Sequence, residues 1–463
     1  MLVFLGFGVL LGHVAHSPAT DTLASARGPI KLVLPPSNAS STTPQTSTST
    51  ESTESTESSP PESEPEPTPE PAATPPASGE SKQPASKQTS HGGGGDSESS
   101  SEGEGSSEPA PGTPAKTLPP IKHVFVIMLS DEPYASAFGP SSTAPYLTGT
   151  LEHKGELLAH FDSVAHDGLA GAAALISGQG PTAETAANCP TYSEIAAPGT
   201  GEDEQVLGSG CVYPSSTQTL PGQLEAKHLS WRAYVQGIDE AGSQAPACAH
   251  PALGAGDPTA NEAAGGGAYA TFRNPFVYFG AIVSSPQCAS DDVGLSALKA
   301  DLAKPKRTPS FAYIVPDRCH DGNPTPCTAG APAGMTQANA FLSQVVPQIT
   351  GSKAYKESGL LVITVDQAPA TGTFADSSAC CGQPLFPNAP SKTLAGTPRG
   401  GGLVGALLLS PYIKGGASGE ESFNDFSLLR TIEDLFGLQH LGYAALPTVK
   451  SFQAEMFTAA KNG

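Results

Sequence analysis

The stretch IKHVFVIMLSDEPYASAFG, residues 121–139, marks the point where a low-complexity sequence gives way to a folded domain. Residues 123–128 are apolar and rich in β-branched side chains, which predicts a strand buried on both faces of a parallel sheet. Ligands of such sheets bind beyond the carboxyl ends of the strands. Ser130, Asp131 and Glu132 therefore stand where a metal ion or a substrate would bind, although they also suit a polar turn that leads into a helix.

Strand-like and helix-like segments alternate along the rest of the chain. Further strands are predicted at residues 158–164, 231–235, 311–315, 359–365 and 403–413. Helices are predicted at residues 144–157, 168–178, 334–349 and 427–438, the last capped by Ser427 and ended by Gly437. This alternation predicts an α/β fold with a mostly parallel central sheet covered by helices on both faces.

Three parts are predicted along the chain. Residues 1–26 form a signal peptide or an N-terminal anchor, residues 27–118 a disordered linker, and residues 119–463 the α/β domain. The apolar run LVFLGFGVLL and the small residues Ala24, Ser25 and Ala26 suit secretory cleavage, but no Lys or Arg precedes the run, so an uncleaved anchor stays open. We expect a secreted or extracellular protein, with association with the cell envelope as the alternative.

The linker is composed mainly of Ser, Thr, Pro, Glu and Gly, in runs such as ESTESTESS and PESEPEPTPEP. Such a segment buries too little apolar surface to offset its conformational entropy, so it is predicted to be disordered. It is either a simple spacer or an O-glycosylated stalk that holds the domain away from the envelope.

The chain is acidic, with a net charge of −21, and both the linker and the domain contain more Asp and Glu than Lys and Arg. Neither part has the basic stripe that a phosphate backbone attracts. The sequence therefore predicts that nucleic acid is not a partner.

The chain has eight cysteines, all from residue 189 onward. In an exported protein they are expected to form disulfides. Pairing of nearest neighbours would give Cys189–Cys211, Cys248–Cys288 and Cys319–Cys327, with Cys380 and Cys381 left as an adjacent pair. The alternative is a metal–thiolate site, but no two cysteines have the C-x-x-C spacing of such sites.

Four aspartates follow predicted strands or lie in the loops after them, and two histidines lie in the same loops. They are Asp131, Asp167, Asp321 and Asp366, with His166 and His320. Clustered carboxylates repel one another unless a cation neutralises them, and a hard divalent metal suits such oxygens. Any single Asp could instead cap a helix, but together they predict a metal or phosphate site at one edge of the sheet.

Five separated segments resemble the phosphoesterase family of bacterial acid phosphatases and phospholipase C-like enzymes, which have the alkaline phosphatase fold. They are IKHVFVIML, TPSFAYIVPDRCHDGN, GLLVITVDQ, GGGLVGALLLSPYIK and FNDFSLLRTIEDLFGL, within residues 119–457. The resemblance implies a divalent metal of unknown identity and a nucleophilic alkoxide that is phosphorylated and then hydrolysed. It also implies a phosphorylated small molecule or a phospholipid headgroup as the ligand.

When the functional positions of the family are transferred to this sequence, the resemblance implies metal ligands at Asp131, Asp366 and Asp425. It implies substrate contacts at His166, Asp167, His320 and Asp321. Several positions depart from the family pattern. The nucleophilic Ser aligns with Gly168, and the Asn three residues later with Gly171. Ser130-Asp131 replaces Glu-Asn, Gln367 replaces Glu, Leu403 replaces Arg, and Asp425 replaces His.

Glycine carries no nucleophilic side-chain atom. The leading interpretation is therefore an exported phosphoesterase-family protein with impaired or lost catalysis. In such a protein the divalent metal could be lost as well. One alternative is an active enzyme that uses metal-bound water. Another is a non-catalytic, envelope-associated protein that binds a phosphorylated ligand. Ser163 and Ser177 are the nearest hydroxyls in sequence, and neither is expected to reach the edge of the sheet.

Overall fold

The structure is a computed structural model, and it describes residues 118–239, 246–260, 269–389 and 400–457. The predicted signal peptide or anchor and almost all of the predicted linker lie outside these residues. The three-part division of the chain therefore stays a prediction.

Thirteen strands and nine α-helices lie in the described residues. The strands are β1 (His123–Leu129), β2 (Glu156–Leu158), β3 (Phe161–Ser163), β4 (Ala196–Thr200), β5 (Val206–Ser209), β6 (Trp231–Val235), β7 (Asp292–Gly294), β8 (Phe311–Val315), β9 (Gly359–Val365), β10 (Gly402–Leu403), β11 (Ala406–Leu409), β12 (Ala417–Gly419) and β13 (Phe423–Asn424). The helices are α1 (Tyr134–Ala137), α2 (Gly168–Ser177), α3 (Leu220–Ala226), α4 (Gly280–Val283), α5 (Cys288–Asp291), α6 (Leu298–Leu302), α7 (Met335–Gly351), α8 (Lys353–Ser358) and α9 (Asp425–Phe436).

Eight strands form the central sheet in the order β12-β2-β11-β9-β1-β8-β6-β7. All neighbouring pairs are parallel except those of β11, which runs antiparallel to both β2 and β9. Every residue of β8 and β9 is buried, so both faces of these strands are covered. The predicted α/β fold with a large, mostly parallel sheet is confirmed. Its central strands β9, β1 and β8 bring their carboxyl ends to the same edge.

The predicted helix at residues 144–157 is wrong in its second half. A π-helical turn, Tyr146–Leu151, and a short 3-10 turn, Glu152–Lys154, are followed by strand β2. A Cβ atom on Gly155 would lie 2.4 Å from the carbonyl oxygen of Leu408, so the glycine lets β2 approach β11 closely. Strand pairing thus overrides local helix propensity here.

Further boundaries differ from the predicted ones. The strand expected at residues 158–164 is replaced by the end of β2 and by β3. The strand expected at residues 403–413 is divided, because Gly405 has φ +76° and separates β10 from β11. The cap of α9 is Asn424, whose side chain accepts a hydrogen bond from the Ser427 amide (3.1 Å), while Gly437 ends the helix in the left-handed conformation as predicted.

The cysteines form four disulfides, and the nearest-neighbour pairing is confirmed. The bonds are Cys189–Cys211, Cys248–Cys288, Cys319–Cys327 and Cys380–Cys381. Separately, none of the helices in the described ranges has the length and the apolar character needed to cross a membrane.

Candidate active site

The candidate site lies at the edge of the sheet where β9, β1 and β8 end. Asp366 follows β9 directly, Ser130 and Asp131 follow β1, and Asp321 lies in the loop after β8. The Ser130 amide donates to the carbonyl oxygen of Asp321 (2.8 Å), which joins the segment after β1 to the loop after β8. The structure therefore brings Asp131, Asp321 and Asp366 together at this edge.

Both carboxylate oxygens of Asp366 accept hydrogen bonds from the chain. Its Oδ2 accepts from the Ser130 hydroxyl (3.0 Å) and from Nη1 of Arg273 (3.1 Å), and its Oδ1 accepts from the Asp131 amide (3.0 Å). The side chain is buried. Asp366 is thus the centre of a hydrogen-bond network made by protein groups.

Asp131 has amide donors on both of its carboxylate oxygens. Oδ1 accepts from the side chain of Gln367 (3.3 Å) and Oδ2 from that of Asn323 (3.4 Å). The side-chain oxygen of Gln367 also accepts a hydrogen bond from the backbone amide of Asp167. The side chain of Gln367, which follows β9, therefore contacts both the residue after β1 and the residue before α2. Asp131 and Asp167 both have positive φ, 51° and 66°, which is uncommon for residues other than glycine and is often found at functional sites.

Helix α2 begins at the predicted nucleophile position, Gly168. All ten of its residues are buried, and small side chains fill most of it. A Cβ atom built on Gly168 would lie 2.1 Å from Oδ2 of Asp366 and 2.9 Å from its Cγ. The position therefore lacks a hydroxyl, and it also lacks the space for any side chain while Asp366 keeps this conformation.

Asp425 is the first residue of α9 and is almost fully buried. Its Oδ2 accepts a hydrogen bond from the Val164 amide (2.9 Å). Burial raises the pKa of Asp425 to about 7, and the nearby charge of Asp366 adds to this rise. A Cβ atom on Gly171 would lie 3.4 Å from Oδ2 of Asp425 and 3.3 Å from the carbonyl oxygen of Asp366, so Asp425 adjoins the same site.

The sequence predicts that Ser163 and Ser177 lie away from the edge of the sheet, and the structure contradicts this for Ser163. Ser163 ends β3, and its hydroxyl donates to the carbonyl oxygen of Asp366 (2.5 Å), because β3 pairs with β13 and β10 beside the site. Ser177 lies at the far end of α2 and donates to the carbonyl oxygen of Ala173 (2.6 Å), as expected.

Sequence reasoning missed Arg273. This buried residue lies in a short turn, Thr271–Arg273, between β6 and β7. Its Nη2 lies 3.0 Å from Oδ2 of Asp321, and its Nη1 lies 3.1 Å from Oδ2 of Asp366. One guanidinium group therefore connects the carboxylates that follow β8 and β9. No motif surrounds the arginine, so its only sequence signal is a cation in an otherwise apolar TFRNPFVYFG segment.

The two predicted histidines occupy separate surroundings. The Nε2 atom of His166 lies 2.8 Å from the Ser377 hydroxyl, and its Nδ1 lies 3.1 Å from the carbonyl oxygen of Ala368. His320 contacts Asp317 through Nδ1 (2.6 Å). His166 thus holds the loop that follows β9, whereas His320 forms a local pair beside Asp321.

Asp366 and Asp131 do not fit a divalent ion in this arrangement. The protein itself already supplies donors to both oxygens of Asp366 and of Asp131. In residues 118–457, leaving out the gaps in the description, a single group of three His, Cys, Asp or Glu residues has its ligand atoms within 4.8 Å of one another. That group is Cys248, Cys288 and Asp292, and its cysteines are bonded to each other. The assignment of Asp131, Asp366 and Asp425 as metal ligands stays a prediction that this geometry does not favour.

Comparison with protein-family models matches residues 121–439 to the Phosphoesterase family. The chain belongs to the phosphoesterase family. The match includes β1, the start of α2, Arg273, Asp366 and Asp425, so all of these lie within the family domain. Comparison with curated protein sequences finds no match.

Among solved structures, the chain is similar to a protein of the alkaline phosphatase superfamily from Vibrio parahaemolyticus, with a TM-score of 0.42, 11% identity and 75% of each chain covered. It is also similar to the lipoteichoic acid synthase LtaP from Listeria monocytogenes, with a TM-score of 0.38, 10% identity and coverage of 71% of this chain and 76% of that one. For murine ectonucleotide pyrophosphatase/phosphodiesterase 5 in complex with AMP, the TM-score is 0.39, the identity 8% and the coverage 69% and 96%.

Proposed function

We propose that this chain is an exported phosphoesterase-family protein that has lost the covalent route of phosphoester hydrolysis. The observation that carries the proposal is the contact between Gly168 and Asp366. A covalent route needs an oxygen or sulfur nucleophile, and the start of a helix is where its developing negative charge is stabilised. Here the carboxylate of Asp366 fills the space that a nucleophilic side chain on residue 168 would need.

Other positions at the site support the same proposal. Gln367 uses its amide to donate to Asp131, a bond that an ionised glutamate could not make. The backbone amide of Leu403 donates to Asp376 (2.9 Å), and its side chain carries no charge for a phosphate. Catalytic groups that act as a unit are strongly non-additive, so several such changes together remove far more rate than one of them.

The test is a turnover assay on the purified protein. Aryl phosphate monoesters and diesters are supplied with Mg²⁺, Mn²⁺ or Zn²⁺, and acid-quenched samples are analysed for covalent phosphate. We expect no phospho-enzyme and a rate far below the ordinary enzymatic range of about 1–1000 per second. A rate within that range would overturn the proposal, and its loss in Asp366→Asn would favour metal-bound water as the nucleophile.

A second candidate function is the binding of a phosphorylated ligand without hydrolysis. A small open cleft beside the site is lined by Arg273, Arg318, Asn323 and Thr325, together with Asp321 and Cys327. Guanidinium, amide and hydroxyl groups are the donors that phosphate groups accept from. Calorimetric titration with phosphoethanolamine and with inorganic phosphate tests this function, and equal affinity in the parent and in Arg318→Gln would contradict it.

Export is the part of the proposal that concerns location. It is supported by the apolar run at residues 2–11 and by the four disulfides, because disulfides persist in oxidising compartments. The test is fractionation of the producing cell, with the N-terminus of the mature protein sequenced. Protein confined to the cytosol with eight reduced thiols would contradict export.

A further inference from the structure

Arg273 supplies a positive charge at the edge of the sheet where two buried carboxylates face each other. Asp321 and Asp366 are both buried, and a buried carboxylate is stabilised by a cation that lies within hydrogen-bond distance of it. The guanidinium lies within hydrogen-bond distance of both, at 3.0 Å from Asp321 and 3.1 Å from Asp366. It therefore balances charge at the point where a hard metal ion would otherwise be needed.

The arrangement also leaves little room for a second cation. Oδ2 of Asp366 already accepts from Arg273 and from the Ser130 hydroxyl, while Oδ1 accepts from the Asp131 amide. A divalent ion on Asp366 would have to displace at least one of these donors. It would also lie close to a guanidinium that does not release its proton at any ordinary pH.

We propose that Arg273 is the resident cation of this site and occupies the position of a divalent metal, so that the native protein does not bind a divalent ion at Asp366. This inference goes beyond the proposed loss of the covalent route, because a protein without the nucleophile could still bind a metal. The two can also fail separately. Turnover tests the proposed function, and metal stoichiometry tests the role of Arg273.

The experiment compares the parent protein with Arg273→Ala and with Arg273→Ala/Asp366→Asn. Each is incubated with Mn²⁺ or Zn²⁺, desalted and analysed for bound metal, and its melting temperature is measured as the ion is titrated. In the parent we expect less than 0.1 ion per chain, about an order of magnitude below full occupancy. We also expect no saturable shift of its melting temperature. Arg273→Ala should bind about one ion per chain and become more thermostable as it binds, because binding to the folded state stabilises it.

The double variant is the matched control, because it lacks the arginine and also one of the two carboxylate charges. We expect its metal response to be lost or reduced at least tenfold in affinity. One ion per chain in the parent that disappears in Asp366→Asn would overturn the proposal, since metal and arginine would then coexist. A folded Arg273→Ala that gains no metal response would overturn it equally.

If Arg273→Ala does not fold, Arg273→Gln replaces it. This variant removes the positive charge, keeps a hydrogen-bonding group at residue 273 and leaves both carboxylates in place. We expect it to gain a divalent-ion response that depends on Asp366. No response in this folded variant would contradict the proposal.

Discussion

A Cβ atom on Gly168 would lie 2.1 Å from Oδ2 of Asp366, well inside the contact distance of the two atoms. The nucleophile position of the domain and its central carboxylate therefore compete for one space. Asp366 is held in that space by Ser130, by Arg273 and by the Asp131 amide. Gly168 and Asp366 therefore depend on each other, and a change at either residue affects the position of the other.

This competition predicts the outcome of Gly168→Ser. The serine should not restore phosphatase turnover, and it should destabilise the protein by about 1–3 kcal/mol, the usual cost of overpacking a buried site. Chemical denaturation and aryl phosphate turnover measure the two effects. Gly168→Ala is the matched control, because it adds the Cβ without a hydroxyl and should cost about as much. A Gly168→Ser protein as stable as the parent would show that Asp366 moves aside easily.

Gln367 connects Asp131 with the backbone amide of Asp167, and this predicts the effect of Gln367→Glu. The new carboxylate would lose the hydrogen bond to Asp131 and place a like charge about 3.3 Å from it. We expect a loss of stability of about 1–3 kcal/mol, larger at pH 8 than at pH 4, because the new side chain ionises as pH rises.

Denaturation curves at both pH values measure the effect of Gln367→Glu. Gln367→Met provides the comparison, since it removes the hydrogen bonds without adding a charge and should cost a similar amount at each pH. A penalty for Gln367→Glu that does not change with pH would contradict the predicted repulsion from Asp131.

Glu433 gives a pH dependence at a position away from the site. Burial in α9 raises the pKa of this side chain to about 8 from 4.5, and the nearby charge of Asp434 adds to the rise. The unfolded chain therefore ionises at lower pH than the folded protein does. The contribution of Glu433 to stability is greatest below about pH 4.5, falls between about pH 4.5 and pH 8, and stays low above that range.

Glu433→Gln should remove this part of the pH dependence. The variant should gain stability relative to the parent as pH rises from 4.5 to 8, by at most about 4–5 kcal/mol. Denaturation at a series of pH values measures the difference between the two proteins. The control is Glu421→Gln, which changes an exposed pair with Lys450 and should shift stability by less than about 1 kcal/mol. Parallel stability curves for Glu433→Gln and the parent would contradict the assigned pKa.

The sequence was sufficient to predict the strands that build the site and the carboxylates at their ends. Continuous apolar runs such as GLLVITV can be buried only within a covered sheet, and residues directly after such runs must lie at its edge. Asp366 was located in this way. Small residues predicted the helix that begins at Gly168, and the family resemblance identified Gly168 as the nucleophile position.

Arg273 could not be located in this way, because its role depends on tertiary contacts. The arginine pairs with a carboxylate 93 positions later in the chain, and no periodicity or motif connects the two. The prediction for Ser163 is wrong for a related reason, since its approach to Asp366 follows from the pairing of β3 with β10 and β13. Both misses concern contacts between distant segments, which local patterns do not encode.

The last prediction concerns the Cys319–Cys327 disulfide, which closes the loop that carries Asp321 and Asn323. Asp321 pairs with Arg273, and Asn323 donates to Asp131, so this loop supports two parts of the site. The bond spans a sequence separation of 8, and closing a loop of that size contributes about 2–3 kcal/mol by the chain-entropy model. Replacing both cysteines by serine should lower stability by that amount and loosen the contacts of Asp321.

The adjacent pair Cys380–Cys381 provides the control, because a sequence separation of 1 closes almost no loop and gives almost no chain-entropy gain. Denaturation of both double-serine variants measures stability, and hydrogen exchange of the amides at Ser130 and Asn323 reports on the site. Those amides bond to Asp321, through its carbonyl oxygen and its side chain respectively, so they should exchange faster only when the Cys319–Cys327 bond is absent. Equal losses in the two variants would mean that loop closure is not what stabilises this part of the site.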